Sequence, residues 1–230
     1  MAPVERLLPR FVAEPPQEDL PYGRWEGRLA AEFLAAVARI ESLPEDLGEP
    51  GAMLWYPDRT WHGRTYVPGT ARTDGGYELF GYVRFVPGDD GEEPGEFAAE
   101  VDFTDQLAER NPDWALDICD EVIGSWRGQL GAVAAMTLVW GRPLVPGGVV
   151  ATAELADLAV DQCDLVEDRF TLLAPDDYRG DLLEIRLFDR KGRELARESL
   201  YDGDEPDDEE PQDDATSTTP DGDDAADEDG

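Results

Sequence analysis

His62 is the only histidine in this chain of 230 residues, which makes it the first side chain to consider for acid–base chemistry. Asp58 and Asp74 flank it in the sequence, and either carboxylate is suited to orient an imidazole that acts as a general base. No nucleophile stands beside it in a recognisable triad. We therefore favour a histidine that only forms hydrogen bonds, and keep His62 with Asp58 or Asp74 as the catalytic alternative.

The familiar nucleotide, hydrolase and zinc motifs are absent from the sequence. There is no GxxxxGKS/T phosphate loop, no GxGxxG turn and no GxSxG nucleophile elbow, and a single histidine excludes a HExxH zinc site. Asp113, Asp117, Asp120 and Glu121 supply oxygens of the kind that bind Mg²⁺ or Ca²⁺, but a helical stripe of acids lacks convergent loop carbonyls. We expect a solvated face there, with no metal and no cofactor.

The two cysteines, Cys119 and Cys163, permit one disulfide but not the framework of a small secreted domain. Whether they pair is left open by the sequence. Cys119 lies among apolar residues and is expected to be a small buried hydrophobe rather than a reactive thiol. Asp161 and Asp164 flank Cys163, and their charges oppose formation of a thiolate.

The segment 55–86 concentrates aromatic and arginine side chains more than any other part of the chain. It holds eight of the 21 aromatic residues, and its four arginines outnumber its three acids. Aromatic rings interleaved with guanidinium groups are typical of interaction hot spots and of stacking surfaces. The alternative is the aromatic core of an antiparallel sheet with arginines at its rim. The candidate binding residues are Trp55, Arg59, Trp61, Arg64, Tyr66, Arg72 and Arg84.

Acidity dominates the composition, with a formal net charge of −35. Fifteen of the 54 acids lie in residues 202–230, which leaves 39 acids against 19 bases in the rest of the chain. Such a charge argues against direct binding of nucleic acid, which requires a basic surface, and against anionic membranes. It suits steering of a basic protein partner. Adaptation to solvent or salt is the alternative explanation of the same composition.

Two amphipathic helices are predicted. Leu29, Phe33, Val37 and Ile40 form one stripe between about residues 25 and 43, before Pro44 ends the helix. Asn111 and Pro112 read as the start of a second helix, which places the apolar residues between 114 and 126 on one arc. The apolar run 132–140 fits either a central strand or a buried helix.

The remaining segments predict strands separated by turns. Residues 53–86, the alternating stretch 96–103 and four segments between 149 and 200 carry this pattern, with a hairpin turn at 189–192. The fold class expected is α+β, with a mostly antiparallel sheet and two principal helices. We divide the chain into a Pro-rich N-terminal arm (1–23), an α+β region (24–145), a β-rich region (146–201) packed with it as a single body, and a disordered acidic tail (202–230).

The sequence favours a non-enzymatic binding or adaptor protein for a basic protein partner. A cytoplasmic location is expected, because the N-terminus lacks the continuous apolar stretch of a signal peptide and no spanning segment is evident. The alternative is a small-ligand binder or an enzyme that uses the segment 55–86, with His62 as the acid or base. The identity of such a ligand is not indicated by the residues.

Overall fold

The computed structural model describes residues 24–88, 93–128, 131–177 and 180–200. The Pro-rich arm and the acidic tail expected from the sequence lie outside these ranges. Within them the chain forms one α-helix, α1 (Arg24–Val37), a short 3₁₀ turn at Ala108–Arg110 and twelve strands. The strands are β1 (Pro50–Trp55), β2 (Arg59–Trp61), β3 (Arg64–Thr73), β4 (Glu78–Val86), β5 (Gly95–Thr104), β6 (Leu116–Arg127), β7 (Val133–Pro143), β8 (Val150–Leu155), β9 (Leu158–Asp164), β10 (Phe170–Asp176), β11 (Leu183–Phe188) and β12 (Glu194–Ser199).

The strands form three antiparallel sheets. Sheet A has the order β1-β3-β4-β5, with the short β2 also paired to β3. Sheet B has the order β10-β7-β6, and sheet C has the order β12-β11-β8-β9. Sheet B therefore joins β7, which precedes residue 146, to β10, which follows it. This pairing connects the region 24–145 with the region 146–201.

The sheets stack as layers with apolar cores between them. Helix α1 covers the outer face of sheet A, where Leu29 and Phe33 pack against Leu79 and Val83. The inner face of sheet A packs against sheet B through a second cluster, and the opposite face of sheet B packs against sheet C. The alternation of side chains along β7 and β10 explains how sheet B contributes to both cores. Leu173, for example, faces sheet A while Leu172 faces sheet C.

The second predicted helix is wrong, because residues 116–127 form strand β6. Its partner is β7, with a β-bulge between Val122 and Gly124. The bulge shifts the phase of the alternation, so the apolar residues no longer follow a simple period of two and also fit a helical arc. Asn111 does not open a helix: its side-chain amide donates to the carbonyl of Leu107 at 2.9 Å, which closes the preceding 3₁₀ turn.

The helix expected over residues 25–43 is shorter than its apolar stripe. It ends at Val37, and the chain then tightens, with the Ile40 N–H donating to the Val37 carbonyl at 3.1 Å. The undecided run 132–140 is a strand from residue 133 onward, where it forms part of β7 at the centre of sheet B. No helix in the described ranges is long and apolar enough to cross a membrane.

Candidate functional site

The structure separates His62 from one of its two candidate partners. His62 and Gly63 form the two-residue turn between β2 and β3, with φ values of 50° and 71° that match a hairpin turn of the primed type. Asp74 follows the other end of β3, so the length of that strand, roughly 30 Å, lies between them. His62 is exposed, and its ring lies 4.2 Å from that of Trp61.

The two acids expected to orient His62 are placed differently. Asp74 accepts a hydrogen bond from the Glu49 backbone N–H at 2.6 Å, which holds the start of β1 beside the β3–β4 turn. Asp58 is half-buried immediately before β2. Asp74 is therefore committed to a turn, and a His62–Asp74 pair does not form.

Three of the seven predicted binding residues lie in the interior. Trp55 and Tyr66 are 3% exposed and belong to the cores on either side of sheet A, while Arg59 is fully buried. The guanidinium of Arg59 donates to the Asp161 carboxylate at 2.6 Å and to the Thr171 carbonyl at 3.4 Å. The burial of Trp55 and Tyr66 agrees with the alternative of an aromatic sheet core. None of the three buried side chains is on a surface that a partner could contact.

The other four predicted binding residues are accessible to different degrees. Trp61 is half-buried against Gly124 of β6, and the three arginines each form an ion pair. The pairs and their N···O distances are Arg64–Glu96 at 3.0 Å, Arg72–Glu78 at 2.7 Å, Arg72–Glu109 at 2.9 Å and Arg84–Glu100 at 3.7 Å. These guanidinium groups are thus already matched by acids of the same chain.

A cleft of about 420 Å³ opens between sheet A and strand β6, and we name it the edge cleft. Its residues belong to the ends of β4 and β5, to the loop that follows β5, and to β6. They are Glu78, Phe80, Thr104, Gln106, Trp114, Asp117, Ile118, Cys119, Asp120, Glu121 and Val122. Trp114 and Val122 are among the exposed large apolar residues, at 37% and 55%. The cleft therefore combines apolar surface with carboxylates.

The cleft exists because sheet B is narrower than sheet A. Strand β6, the edge of sheet B, approaches β4. Strand β5 lies beyond β4 at the edge of sheet A, and its residues Glu100 and Asp102 are exposed. They stand directly opposite Tyr82 and Phe80 in the β4–β5 ladder and so share the inner face with them. No described strand of sheet B thus covers the inner face of β5 at these two residues.

At the end of the edge cleft formed by Glu78 and Asp117, which we call the upper end, the acidic side chains are balanced by arginines. Asp117 accepts two hydrogen bonds from the Arg142 guanidinium, at 3.0 and 2.9 Å. Glu78 is paired with Arg72, although burial raises the pKa of Glu78 above its ordinary value. Each acid at this end therefore has a guanidinium partner.

At the opposite end, near Glu121, which we call the lower end, acidic side chains outnumber basic ones. Burial first, and then the charges of Asp120, Glu100 and Asp102, raise the pKa of Glu121. Burial and the nearby Glu100 also raise the pKa of the Tyr82 hydroxyl. Among the described residues, the one ion pair formed by Glu100, Asp102 and Glu121 is the long contact of Glu100 with Arg84. Glu121 of the cleft lining and the neighbouring Glu100 and Asp102 of β5 therefore form an acidic group with little compensating positive charge among the described residues.

Both cysteines are free thiols. Burial raises the pKa of Cys163 to about 12 and that of Cys119, which borders the edge cleft, well above the ordinary value. Neither environment activates a nucleophile. In the part of the chain that the structure describes, no group of three or more histidine, cysteine or acidic side chains is arranged to hold a metal ion.

The comparisons with known proteins identify no relative. No protein-family model matches this chain, and no curated protein or solved structure matches it. The candidate site therefore rests on the geometry alone.

The sequence did not single out the residues that form the lower end of the cleft. Glu100 and Asp102 did carry a signal, because they alternate with Ala99, Val101 and Phe103 as one polar face of a strand. The sequence pattern places Glu121 only in a helical acidic stripe. The packing of sheet B on sheet A brings it near Glu100 and Asp102 of β5, and no local sequence pattern predicts that contact.

Proposed function

We propose that this protein is a non-enzymatic binding module that captures a basic protein partner in the edge cleft. The observation that supports the proposal most directly is the group of half-buried Glu121 and exposed Glu100 and Asp102, which adjoin the cleft residue Phe80 and have little compensating positive charge. Apolar surface provides burial and the carboxylates provide charge complementarity, the two ingredients of a specific protein interface.

The charge of the whole chain favours the same partner. A net charge of −35 accelerates the encounter with a basic protein, and the cleft then supplies the specific contacts. Phosphate-rich partners are disfavoured by the same charge, so we expect no direct binding of nucleic acid. The arginines of segment 55–86 are paired with acids, and in this proposal Arg84 borders the interface through Glu100.

We infer that the protein acts in the cytoplasm. Two unpaired thiols in a chain of this size suit a reducing compartment better than an oxidising one. Reaction of both thiols after protein isolated without reductant is unfolded in urea supports this inference, whereas isolation of a disulfide-linked form from its native source contradicts it.

The binding proposal is tested with a labelled peptide of about ten residues in which arginine alternates with valine. Its affinity is measured by fluorescence anisotropy in about 0.15 M salt, which screens distant surface charge. The variant Glu100→Gln/Asp102→Asn/Glu121→Gln is compared with Glu26→Gln/Glu41→Gln/Glu45→Gln, which removes the same charge at exposed positions in and beyond α1. We expect about a tenfold loss of affinity in the first variant only. Equal losses in the two variants contradict a specific site.

A further inference from the structure

Strand β6 presents an unpaired hydrogen-bonding edge beside the edge cleft. It is the outer strand of sheet B, and among the described residues its sheet partner is β7. The groups on its free side can be identified from the ladder. The Leu144 N–H donates to the Ala115 carbonyl at 2.9 Å, one step beyond the paired residues Leu116 and Pro143. Residue 115 therefore occupies a hydrogen-bonded position opposite 144.

Hydrogen-bonded positions alternate along an antiparallel pair. Asp117, Cys119 and Glu121 consequently direct their backbone groups toward β7. Ile118, Asp120 and Val122 direct theirs away from it. Pro143 is consistent with this alternation. It lies opposite Leu116 in a non-hydrogen-bonded pair, where residue 143 donates no N–H to β6. In the described part of the chain, no backbone or side-chain group hydrogen-bonds the N–H of Ile118, Asp120 or Val122.

We propose that the basic partner binds by adding an extended segment to β6 as a fourth strand of sheet B. This inference rests on the proposed function and specifies its geometry. The segment would lie over the open inner face of β5, the position that the narrower sheet B leaves vacant. Side chains on one face of the added strand would meet Glu100, Asp102 and Glu121, and basic side chains at alternate positions complement these carboxylates.

Both the backbone of β6 and the acidic side chains near it are suited to binding an added strand. Main-chain hydrogen bonds to β6 give affinity without regard to sequence, and the carboxylates select arginine or lysine at every second position. Phe80 provides apolar surface next to the charged contacts, and the exposed Val122 provides it on the opposite face of β6. An edge strand of this length without a partner is otherwise a template for unwanted association.

Strand addition makes a prediction that simple attraction of opposite charges does not. Residues that stand directly opposite in an antiparallel pair share a face. The peptide residues that hydrogen-bond to Ile118, Asp120 and Val122 therefore have side chains that face away from sheet A, whereas the basic residues face the cleft. In a peptide of alternating arginine and valine, the valine amides pair with β6 and the arginine amides point to solvent.

The experiment measures how tightly three peptides with identical side chains and charge bind to the full-length protein. One peptide is unmodified, the second is N-methylated at its valines, and the third is N-methylated at its arginines. We expect methylated valines to weaken binding about tenfold or more and methylated arginines to have little effect. Loss on methylation of arginine alone instead indicates the same addition in the parallel direction. Equal binding of all three peptides overturns strand addition.

Hydrogen exchange provides the second measurement. The amides of Ile118, Asp120 and Val122 should exchange rapidly in the free protein and become protected when the unmodified peptide is bound. Protection already present in the free protein indicates that a segment of this chain or a second copy occupies the edge, and it overturns the proposal. If the three peptides bind equally well but the Glu100→Gln/Asp102→Asn/Glu121→Gln variant loses binding, the proposed function is supported. In that case only the strand-addition mode is contradicted.

Discussion

The guanidinium of Arg59 on β2 lies 2.6 Å from the carboxylate of Asp161 on β9, and both side chains are almost wholly buried. Asp161 also accepts a hydrogen bond from the Leu173 backbone N–H at 2.8 Å. The pair therefore ties sheet A to strands of both other sheets. Arg59, which the sequence placed among the binding residues, is a structural side chain that connects layers.

Arg59→Ala should be strongly destabilising, because it leaves the Asp161 carboxylate in the interior without its cation. We expect a loss of about 3–5 kcal/mol in the free energy of unfolding, measured by urea denaturation. Arg64→Ala, which breaks the exposed pair with Glu96, is the control and should cost at most about 1 kcal/mol. Similar losses in the two variants contradict the structural role assigned to Arg59.

Glu121→Gln should stabilise the protein at neutral pH. Burial and neighbouring acids raise the pKa of Glu121, so the folded state holds this proton at pH values where the unfolded chain has released it. The free energy of unfolding therefore falls as the pH rises from the ordinary glutamate pKa of about 4.3 through the raised value. The variant removes this dependence, and its Tm at pH 7 should be roughly 1–3 °C higher.

Glu41→Gln, at an exposed position beyond α1, is the matched control and should leave the Tm unchanged. A lower Tm in Glu121→Gln indicates that Glu121 has a stabilising partner in the folded protein. That result contradicts an uncompensated acid in the edge cleft.

Gly124→Ala should displace Trp61 and destabilise the contact between β2 and β6. A Cβ atom at this position would lie 2.6 Å from two ring carbons of Trp61, closer than atoms can approach without movement. We expect a loss of about 1–3 kcal/mol. Gly95→Ala, where no atom lies within 4 Å of the added Cβ, should remain within about 0.5 kcal/mol of the natural sequence.

The two thiols should be slow to react in the folded protein. Burial raises the pKa of both, so few thiolates are present at pH 8. Reaction with a chromogenic disulfide reagent should be about tenfold slower or more in the folded protein than in urea, where two thiols per chain become available. Rapid reaction of one thiol in the folded protein indicates an activated cysteine and contradicts the environment described.

Strand β5 could be predicted from its own residues, whereas strand β6 could not. The alternation of Phe97, Ala99, Val101 and Phe103 predicts β5, because a strand with one buried face needs nothing beyond its own period. The pattern of β6 does not identify a strand, since the bulge after Val122 breaks the period and the pairing that decides its structure comes from β7. Tertiary pairing overrides local propensity there.

The candidate site depends on the same non-local information. Its acids lie on β5 and β6, and they come together only because β6 stacks over β4 and leaves β5 uncovered. The aromatic and arginine residues of segment 55–86 were the more conspicuous pattern in the sequence. Three of them are buried by contacts with elements distant in the sequence. Trp55 lies in the core beneath α1, Tyr66 lies in the core between sheets A and B, and Arg59 lies against β9 and β10.

The most direct test of the central claim is quantitative capture from native lysate by three forms of the protein. These are the full-length chain, the chain ending at residue 201, and the full-length chain with Glu100→Gln/Asp102→Asn/Glu121→Gln. We expect the first two to retain one basic protein in stoichiometric amount, and the third to lose it. Capture that survives in the third form but is lost when residues 202–230 are removed contradicts binding in the edge cleft and assigns the interaction to the acidic tail.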